Sequence, residues 1–382
     1  MKKILFAIPQ LDKGGPDRVF FEILSGLSPR DFDLHLLTTA GAGEYWSLLP
    51  EHVTKHVVMR SFRLWHRYPA DGLFSVIWKI KPDVVVTTLR MNSTANLIYH
   101  FLPKKTKLIT RITNDFSANS AEVRAMGFKQ NFAIQLNKWL IKQADFLIAQ
   151  SNYMADDLTK HIDNIPQVKV LYNPISDAYL EPRLIDSDTK ILPGKPSLVS
   201  VGRLMPQKGY DILIPAMKHV AIDFPEAKLT IYGDGPDKEK LQTMIDDLNL
   251  NDYVTLAGFC SNPLPYVKNA NLFVLSSRYE GFSNATLEAL AVGTPVVVTD
   301  CPGANAEIIS VGRNGYLCEK ENSTDLAHRI NAAIENKWSR KLIKDSCFLS
   351  FGSKKIIHEY SCFLKNASAN NQEKYTTKNG IK

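Results

Sequence analysis

The chain has 382 residues, of which 45% are hydrophobic, 10% aromatic and 22% charged. That is the composition of a globular protein of two or three domains, and it excludes a disordered chain, a collagen-like repeat and a disulfide-stapled miniprotein. The net charge of +7 is unevenly placed: residues 1–176 carry 22 Lys and Arg against 15 Asp and Glu, and the remainder carries 24 of each.

A basic first half suits an anionic substrate, anionic lipid or nucleic acid. Nothing resembles a helix-turn-helix, an RRM or a zinc finger, so nucleic acid ranks last. Cys260, Cys301, Cys318, Cys347 and Cys362 show no CxxC or CxH spacing, which points to a reduced compartment without structural zinc. The N-terminal MKKILFAIPQ is too short for a signal h-region. No run approaches the roughly 18 apolar residues of a membrane span, so a soluble cytoplasmic protein is expected.

In chain order, short β-branched runs recur at Lys3–Ile8, Asp33–Thr38, Asp83–Thr88, Lys107–Ile112, Asp145–Gln150 and Val168–Tyr172. Several, such as VVVTT and FLIA, lack hydrophobic–polar alternation, as strands buried on both faces of a parallel sheet require. Helical patterns at Arg18–Leu27 and Phe128–Lys142 lie between them. A second series follows at Ser197–Gly202, Lys228–Gly233, Tyr253–Gly258, Leu272–Ser277 and Pro295–Asp300. The alternation predicts two doubly wound α/β sheets. The expected division is a first domain over 1–175, a Pro-rich linker over 176–196 and a second domain over 197–346. A helix over 347–365 packs back on the first domain, and a polar, mobile tail covers 366–382.

Open α/β sheets bind ligands at the carboxyl ends of their strands, and three loops there carry chemistry. Gly14-Gly15-Pro16 follows the first strand. Its paired glycines let backbone approach an oxyanion ahead of a helix dipole, although a plain tight turn fits as well. Gly202 to Gly209 brackets Arg203 and Lys208, a planar fork and a point charge able to converge on one diphosphate. Glu280 to Glu288 follows the apolar strand LFVLSS. Ser283-Asn284 opens a helix, and eight residues at about 100° each put the two carboxylates on one side of it. Carboxylates accept hydrogen bonds from sugar hydroxyls, and free N–H groups of a first helical turn suit phosphate. Neither GxGxxG nor an acidic residue closing the second strand is present, which weakens a nicotinamide-cofactor reading.

With the GGP loop, SVGRLMPQKG, IYGDGP, LAGF, SSRYEGFSNATLEALAVGTPVVVTD and NGYL in order, the chain resembles the family 4 retaining glycosyltransferases over roughly residues 3–335. These have the GT-B fold of two facing Rossmann-like domains. The resemblance implies that Arg203 and Lys208 bind the donor diphosphate, and that Glu280 holds hydroxyls of the transferred sugar. Gly281, Phe282, Ser283 and Asn284 would offer backbone N–H groups, and Glu288 would hold the ribose. Gly202, Gly233, Gly258 and Phe259 would flank the nucleotide, and Gly14 and Gly15 would close over the diphosphate. Three departures stand out. Pro16-Asp17 replaces the usual Ala-Glu, and Pro302-Gly303-Ala304-Asn305-Ala306-Glu307 replaces a Gly-Gly or Gly-Pro loop. Arg111 to Asp115 has no histidine where many relatives place one, leaving Asn114 and Asp115 as acceptor contacts.

The co-substrate expected is a nucleotide sugar, with no cofactor and no metal. The two DxD matches, Asp31-Phe32-Asp33 and Asp186-Ser187-Asp188, read as solvated turns. Arg60, Arg63 and Arg67 interleave with Phe62, Trp65 and Tyr68. Lys129, Lys138 and Lys142 interleave with Phe128, Phe132 and Trp139. Such segments suit an anionic membrane surface and a glycan or undecaprenyl-diphosphate-linked acceptor, or else are helices with packed aromatics and solvated charges. The resemblance implies bacterial surface polysaccharide assembly: O-antigen, capsule or lipopolysaccharide. A nucleotide-sugar 2-epimerase and a non-catalytic nucleotide-sugar scaffold are the alternatives. The first would need acid–base carboxylates and histidines over the sugar, and the nine histidines show no cluster.

Overall fold

A computed structural model describes residues 1–12, 14–58, 70–113, 115–117, 130–180 and 192–368. Asn114, the Arg60–Tyr68 stretch, Phe128, Lys129, the Asp186–Asp188 match and residues 369–382 of the tail lie outside them.

Two parallel sheets carry the chain. The first comprises β1 (Lys2–Ala7), β2 (Phe32–Thr38), β3 (Val53–Val57), β4 (Val84–Thr88), β5 (Lys107–Arg111), β6 (Phe146–Ala149) and β7 (Gln167–Val170), in the order β3-β2-β1-β4-β5-β6-β7. The second comprises β8 (Ser197–Val201), β9 (Lys228–Tyr232), β10 (Val254–Gly258), β11 (Leu272–Leu275), β12 (Val296–Thr299) and β13 (Gly315–Cys318), in the order β10-β9-β8-β11-β12-β13. Both orders reverse beside the first strand of their half, between β1 and β4 and between β8 and β11. Those crevices are where open sheets take ligands.

Helices cover both faces of each sheet, so alternate residues of one strand enter opposite cores. In β1, Ile4 and Phe6 join the core that includes Phe20, while Leu5 and Ala7 join the one that includes Ile77. In β8, Leu198 and Val199 divide the same way. This explains the runs without alternation: VVVTT in β4 and VVVT in β12 are buried at every residue. The helix Gly15–Gly26 starts on Pro16, whose fixed φ suits a first turn, and buries Val19, Phe20, Ile23 and Leu24 on one face. The edge strand β3 and the strand β13 add to the series expected from sequence.

The C-terminal segment differs from the single helix expected over 347–365. Helices Arg340–Phe351 and Ser353–Ala367 meet at Gly352, where a Cβ would strike the Phe348 carbonyl. Ile356, Tyr360 and Leu364 of the last helix enter the core of the first sheet. At the same place the chain crosses between the halves for the second time. The Ile175 N–H donates to the Phe351 carbonyl (2.8 Å) and the Ser353 N–H to the Ile175 carbonyl (2.9 Å), tying the two crossings together.

Candidate active site

The second-half loops form a braced frame at the carboxyl ends of β8 and β11. After β8, Gly202 leads through exposed Arg203 to the short 3₁₀ turn Pro206–Lys208. Gly209 follows with φ +62°, its α-carbon too close to the Ser276 carbonyl for any side chain, and opens the helix Tyr210–Asp223. The Lys208 ammonium lies 2.6 Å from Glu280 Oε1, and the Ser277 hydroxyl donates to the same oxygen at 2.7 Å. Glu280 is only 7% exposed. Its backbone N–H donates to the Pro302 carbonyl (2.9 Å), and its own carbonyl abuts Gly303 at φ +131°, where no Cβ fits. The unusual Pro302-Gly303 pair is thus the shelf on which Glu280 rests.

Sequence reasoning missed Arg278. Its guanidinium pairs with both Asp211 oxygens at 2.9 Å and with Glu321, and donates to the Pro206 carbonyl at 2.5 Å. It clamps the Lys208 turn to the next helix. The signal was an arginine between SS and YEG, in a loop already marked for chemistry.

Helix Asn284–Ala291 follows directly. Ser283 caps it by accepting from the Thr286 N–H. Phe282 turns its ring into the core against Tyr172 and Phe351, which leaves only its backbone to face the loop. Gly233 packs at φ +156° on the Gly202 carbonyl. Gly258, at φ +76°, has open space around it, and Phe259 is 71% exposed. These positions form an open rim.

The first half closes over this frame. Gly15 faces Asn284, with its missing Cβ 2.8 Å from the amide nitrogen. Asn284 accepts from Asn173 (2.9 Å), which accepts from buried Arg111 (2.6 Å). Arg18 reaches Glu288 at 2.5 Å, each side chain about a fifth exposed (18% and 19%). Glu307 crosses the other way: its carboxylate accepts from the N–H groups of Asn152 and Tyr153, at 3.0 and 2.8 Å, at the start of the helix Asn152–His161, and from the Tyr172 hydroxyl. Charge complements dipole there. Asp17 stands with Gly14 and accepts from the Asp12 N–H. Burial raises its carboxyl above the usual range.

Lys208, Glu280, Ser283, Asn284, Glu288, Gly14 and Gly15 therefore meet in one cleft, with Arg203 on the same loop and Gly233, Gly258 and Phe259 at the rim. Asp115 lies in the loop after β5 and is 1% exposed; burial first, then Asp157 and Glu280, raise its carboxyl to about 7.

Beside it, at the ends of β4 and β5, opens a cavity of about 420 Å³ lined by Gln10, Asp17, Arg90, Asn92, Asn96 and Asn137. Asn92 is fixed by the Thr87 hydroxyl and the Arg111 carbonyl, and Asn96 by Thr110. Leu89, on its lining, holds a φ of +54°, a backbone state uncommon for a residue other than glycine.

Two facing parallel sheets, a basic loop at one switch point and a glycine loop at the other define a GT-B glycosyltransferase. Comparison with known proteins agrees. The family described as Glycosyltransferase Family 4 matches residues 13–179, and Glycosyl transferases group 1 matches residues 183–346. Together the two matches take in both halves, and the chain belongs to the family 4 glycosyltransferases.

An uncharacterized glycosyltransferase of Methanocaldococcus jannaschii is 32% identical over 255 residues, 62% of this chain and 60% of that protein. The N-acetylgalactosamine-N,N'-diacetylbacillosaminyl-diphospho-undecaprenol 4-alpha-N-acetylgalactosaminyltransferase of Campylobacter jejuni is 27% identical over 359 residues, 90% of this chain and 93% of that one. Among solved structures, Anabaena Alr3699/HepE in complex with UDP-glucose superposes with a TM-score of 0.75 at 19% identity, over 96% of this chain and 100% of that one.

Proposed function

We propose that the protein transfers a sugar, with retention, from a UDP-sugar to a hydroxyl of a lipid-linked glycan during assembly of a bacterial surface polysaccharide. The Lys208–Glu280 contact at the carboxyl ends of β8 and β11 carries the reading, because it sets a cation for the leaving diphosphate against a carboxylate for the departing sugar. As the glycosidic bond breaks, the sugar becomes oxocarbenium-like and the diphosphate gains charge. Arg203, Lys208 and the N–H groups of Gly281 to Asn284 stabilise that charge without a metal. Losing one such donor costs about 10²–10³ in rate. Glu288 takes the ribose, and Gly14 and Gly15 cover the diphosphate. A donor phosphate oxygen removes the acceptor proton as the nucleophile attacks from the leaving-group side.

The acceptor's saccharide occupies the cavity lined by Asp17, Arg90, Asn92 and Asn137. Its lipid and the membrane meet the neighbouring helices. Phe132, Leu136 and Trp139 stand exposed at 75%, 42% and 46% along the helix Gln130–Ile141, beside exposed Leu97 and Phe101. Lys138 and Lys142 accompany them, as an interfacial surface requires. No helix among the described residues is long and apolar enough to cross a membrane. Peripheral attachment fits a lipid-linked acceptor, and the Campylobacter jejuni relative acts, by its name, on a diphospho-undecaprenol substrate.

Incubation with UDP-, GDP- and ADP-sugars and undecaprenyl-diphosphate-linked acceptors should yield transfer from a UDP-sugar without added divalent metal. Epimerised donor without transfer would replace this reading. Flotation should recover the protein with anionic liposomes, and equal recovery with neutral ones would remove the membrane role.

A further inference from the structure

Three polar side chains on the seam between the halves form a line that ends at the glycine loop. Arg111, the last residue of β5, is 1% exposed, and Asn173, just before the chain crosses to the second half, is 2% exposed. The Arg111 guanidinium donates to Asn173 Oδ1 at 2.6 Å, and the Asn173 amide nitrogen donates to Asn284 Oδ1 at 2.9 Å. Asn284 is the first residue of the helix Asn284–Ala291, and its amide nitrogen lies 2.8 Å from where a Gly15 Cβ would stand. The guanidinium is itself seated over the Phe20 ring, its central carbon 5.6 Å from the ring centroid.

One end of this line fixes the direction of every bond in it. A guanidinium has N–H donors and no acceptor, and it is always charged in a protein, so Asn173 can meet it only with oxygen. An amide carries its oxygen and its NH2 on opposite arms of one plane. With the Asn173 oxygen spent on Arg111, its NH2 faces Asn284, which must answer with its own oxygen. The Asn284 NH2 is thereby turned to the glycine loop. Were Arg111 absent, both amides could reverse together and keep the bond between them, and an oxygen would then face that loop.

We propose that Arg111 and Asn173 are positioning residues that set the polarity of the Asn284 side chain, so that its NH2 donates to the diphosphate covered by Gly14 and Gly15. Neither of the two touches the nucleotide. The side-chain donor adds to the backbone N–H groups of Gly281 to Asn284, whereas a reversed amide would set a partial negative charge against an anion. The proposal rests on the donor site proposed above.

The test is calorimetric titration with UDP. Asn173→Asp exchanges the NH2 for a second acceptor and gives Arg111 a carboxylate partner. Asn284 must then turn its NH2 to the new carboxylate and its oxygen to the diphosphate. A hydrogen bond to a charged group is lost, so affinity for UDP should fall about 10–100-fold with no drop in melting temperature. In an Asn284→Ala background the same substitution should change UDP affinity less than about twofold, because no amide is left to reverse. Asn284→Asp keeps the oxygen that meets Asn173 and puts an anion in place of the NH2, and it should bind UDP more weakly than Asn284→Ala. An equal loss from Asn173→Asp in both backgrounds would show the added charge alone at work and overturn the proposal. Undiminished UDP binding by Asn173→Asp would overturn it too, as would Asn284→Asp binding at least as tightly as Asn284→Ala. Should Asn173→Asp unfold, the order of the two Asn284 variants decides. Failure of the wild type to bind UDP would instead overturn the donor-site reading.

Discussion

Replacing Arg18 with methionine should make the protein bind UDP more tightly. Arg18 lies 2.5 Å from Glu288, the carboxylate proposed for the ribose, with both side chains about four-fifths shielded. A fully exposed ion pair contributes about 0–1 kcal/mol, whereas stripping one partner from a fully buried pair costs about 3–5 kcal/mol. This pair lies between those limits, at about 1–2 kcal/mol. Ribose hydroxyls must displace the guanidinium to reach Glu288, so that energy opposes nucleotide binding. Removing it should raise UDP affinity about 5–30-fold. Methionine keeps most of the apolar stem, so the packing around the start of the helix Gly15–Gly26 is preserved. Calorimetry on the wild type, Arg18→Met and Glu288→Gln decides the matter, with Glu288→Gln expected to bind more weakly than either. Equal or weaker binding by Arg18→Met would refute the competition and make Arg18 a ligand of the nucleotide.

Lys208→Met should destabilise the fold by about 3 kcal/mol, because Glu280 would keep only the Ser277 hydroxyl. Lys208→Met/Glu280→Gln should recover most of that in urea unfolding while both variants lose transfer, and a double variant no more stable than the single would contradict this. The raised Asp115 carboxyl means that the folded state holds a proton the unfolded chain releases between about pH 4 and 7. Stability from this site is therefore present below pH 4 and lost as pH rises through 7. Asp115→Asn should match the wild type in melting temperature near pH 4 and exceed it near pH 8, and an equal difference at both would count against the assignment. Glu307→Ala should cost about 1–2 kcal/mol and speed amide exchange at Asn152 and Tyr153, since their N–H groups lose their acceptor across the cleft while Ser151 still caps the helix; unchanged exchange would show the contact to be idle.

The second half was legible in the sequence because its chemistry is local. Lys208 and Glu280 lie in loops that directly follow β8 and β11, and apolar strands too short for helices fixed where those loops fall. The edge strand β3 escaped notice because VTKHV is largely exposed and offers no apolar run. β13 escaped because it opens on Gly315, packed on the Val296 carbonyl. Contacts across the cleft were invisible for a different reason. Arg18 and Glu288, or Glu307 and the Asn152 helix, are far apart along the chain, and no periodicity pairs them. Gly15 shows the limit well. Its pairing with Gly14 suggested an approach to phosphate, and its position beside Asn284 adds a second demand for a missing side chain. Asp115 was found through the resemblance, in the segment where many relatives carry a histidine, while its burial is a property of the folded chain alone.

The backbone passes from one lobe to the other at Ile175 and returns at Gly352, and two hydrogen bonds lock these passages side by side. A join of that kind behaves as a door hinge: it allows swing and resists sliding. Each atom then travels in proportion to its distance from the hinge line, so a rotation of modest angle hardly disturbs the aromatic packing of Tyr172, Phe282 and Phe351 beside it. The parts of the lobes farthest from that line would sweep the widest arcs, while the register between the lobes is kept.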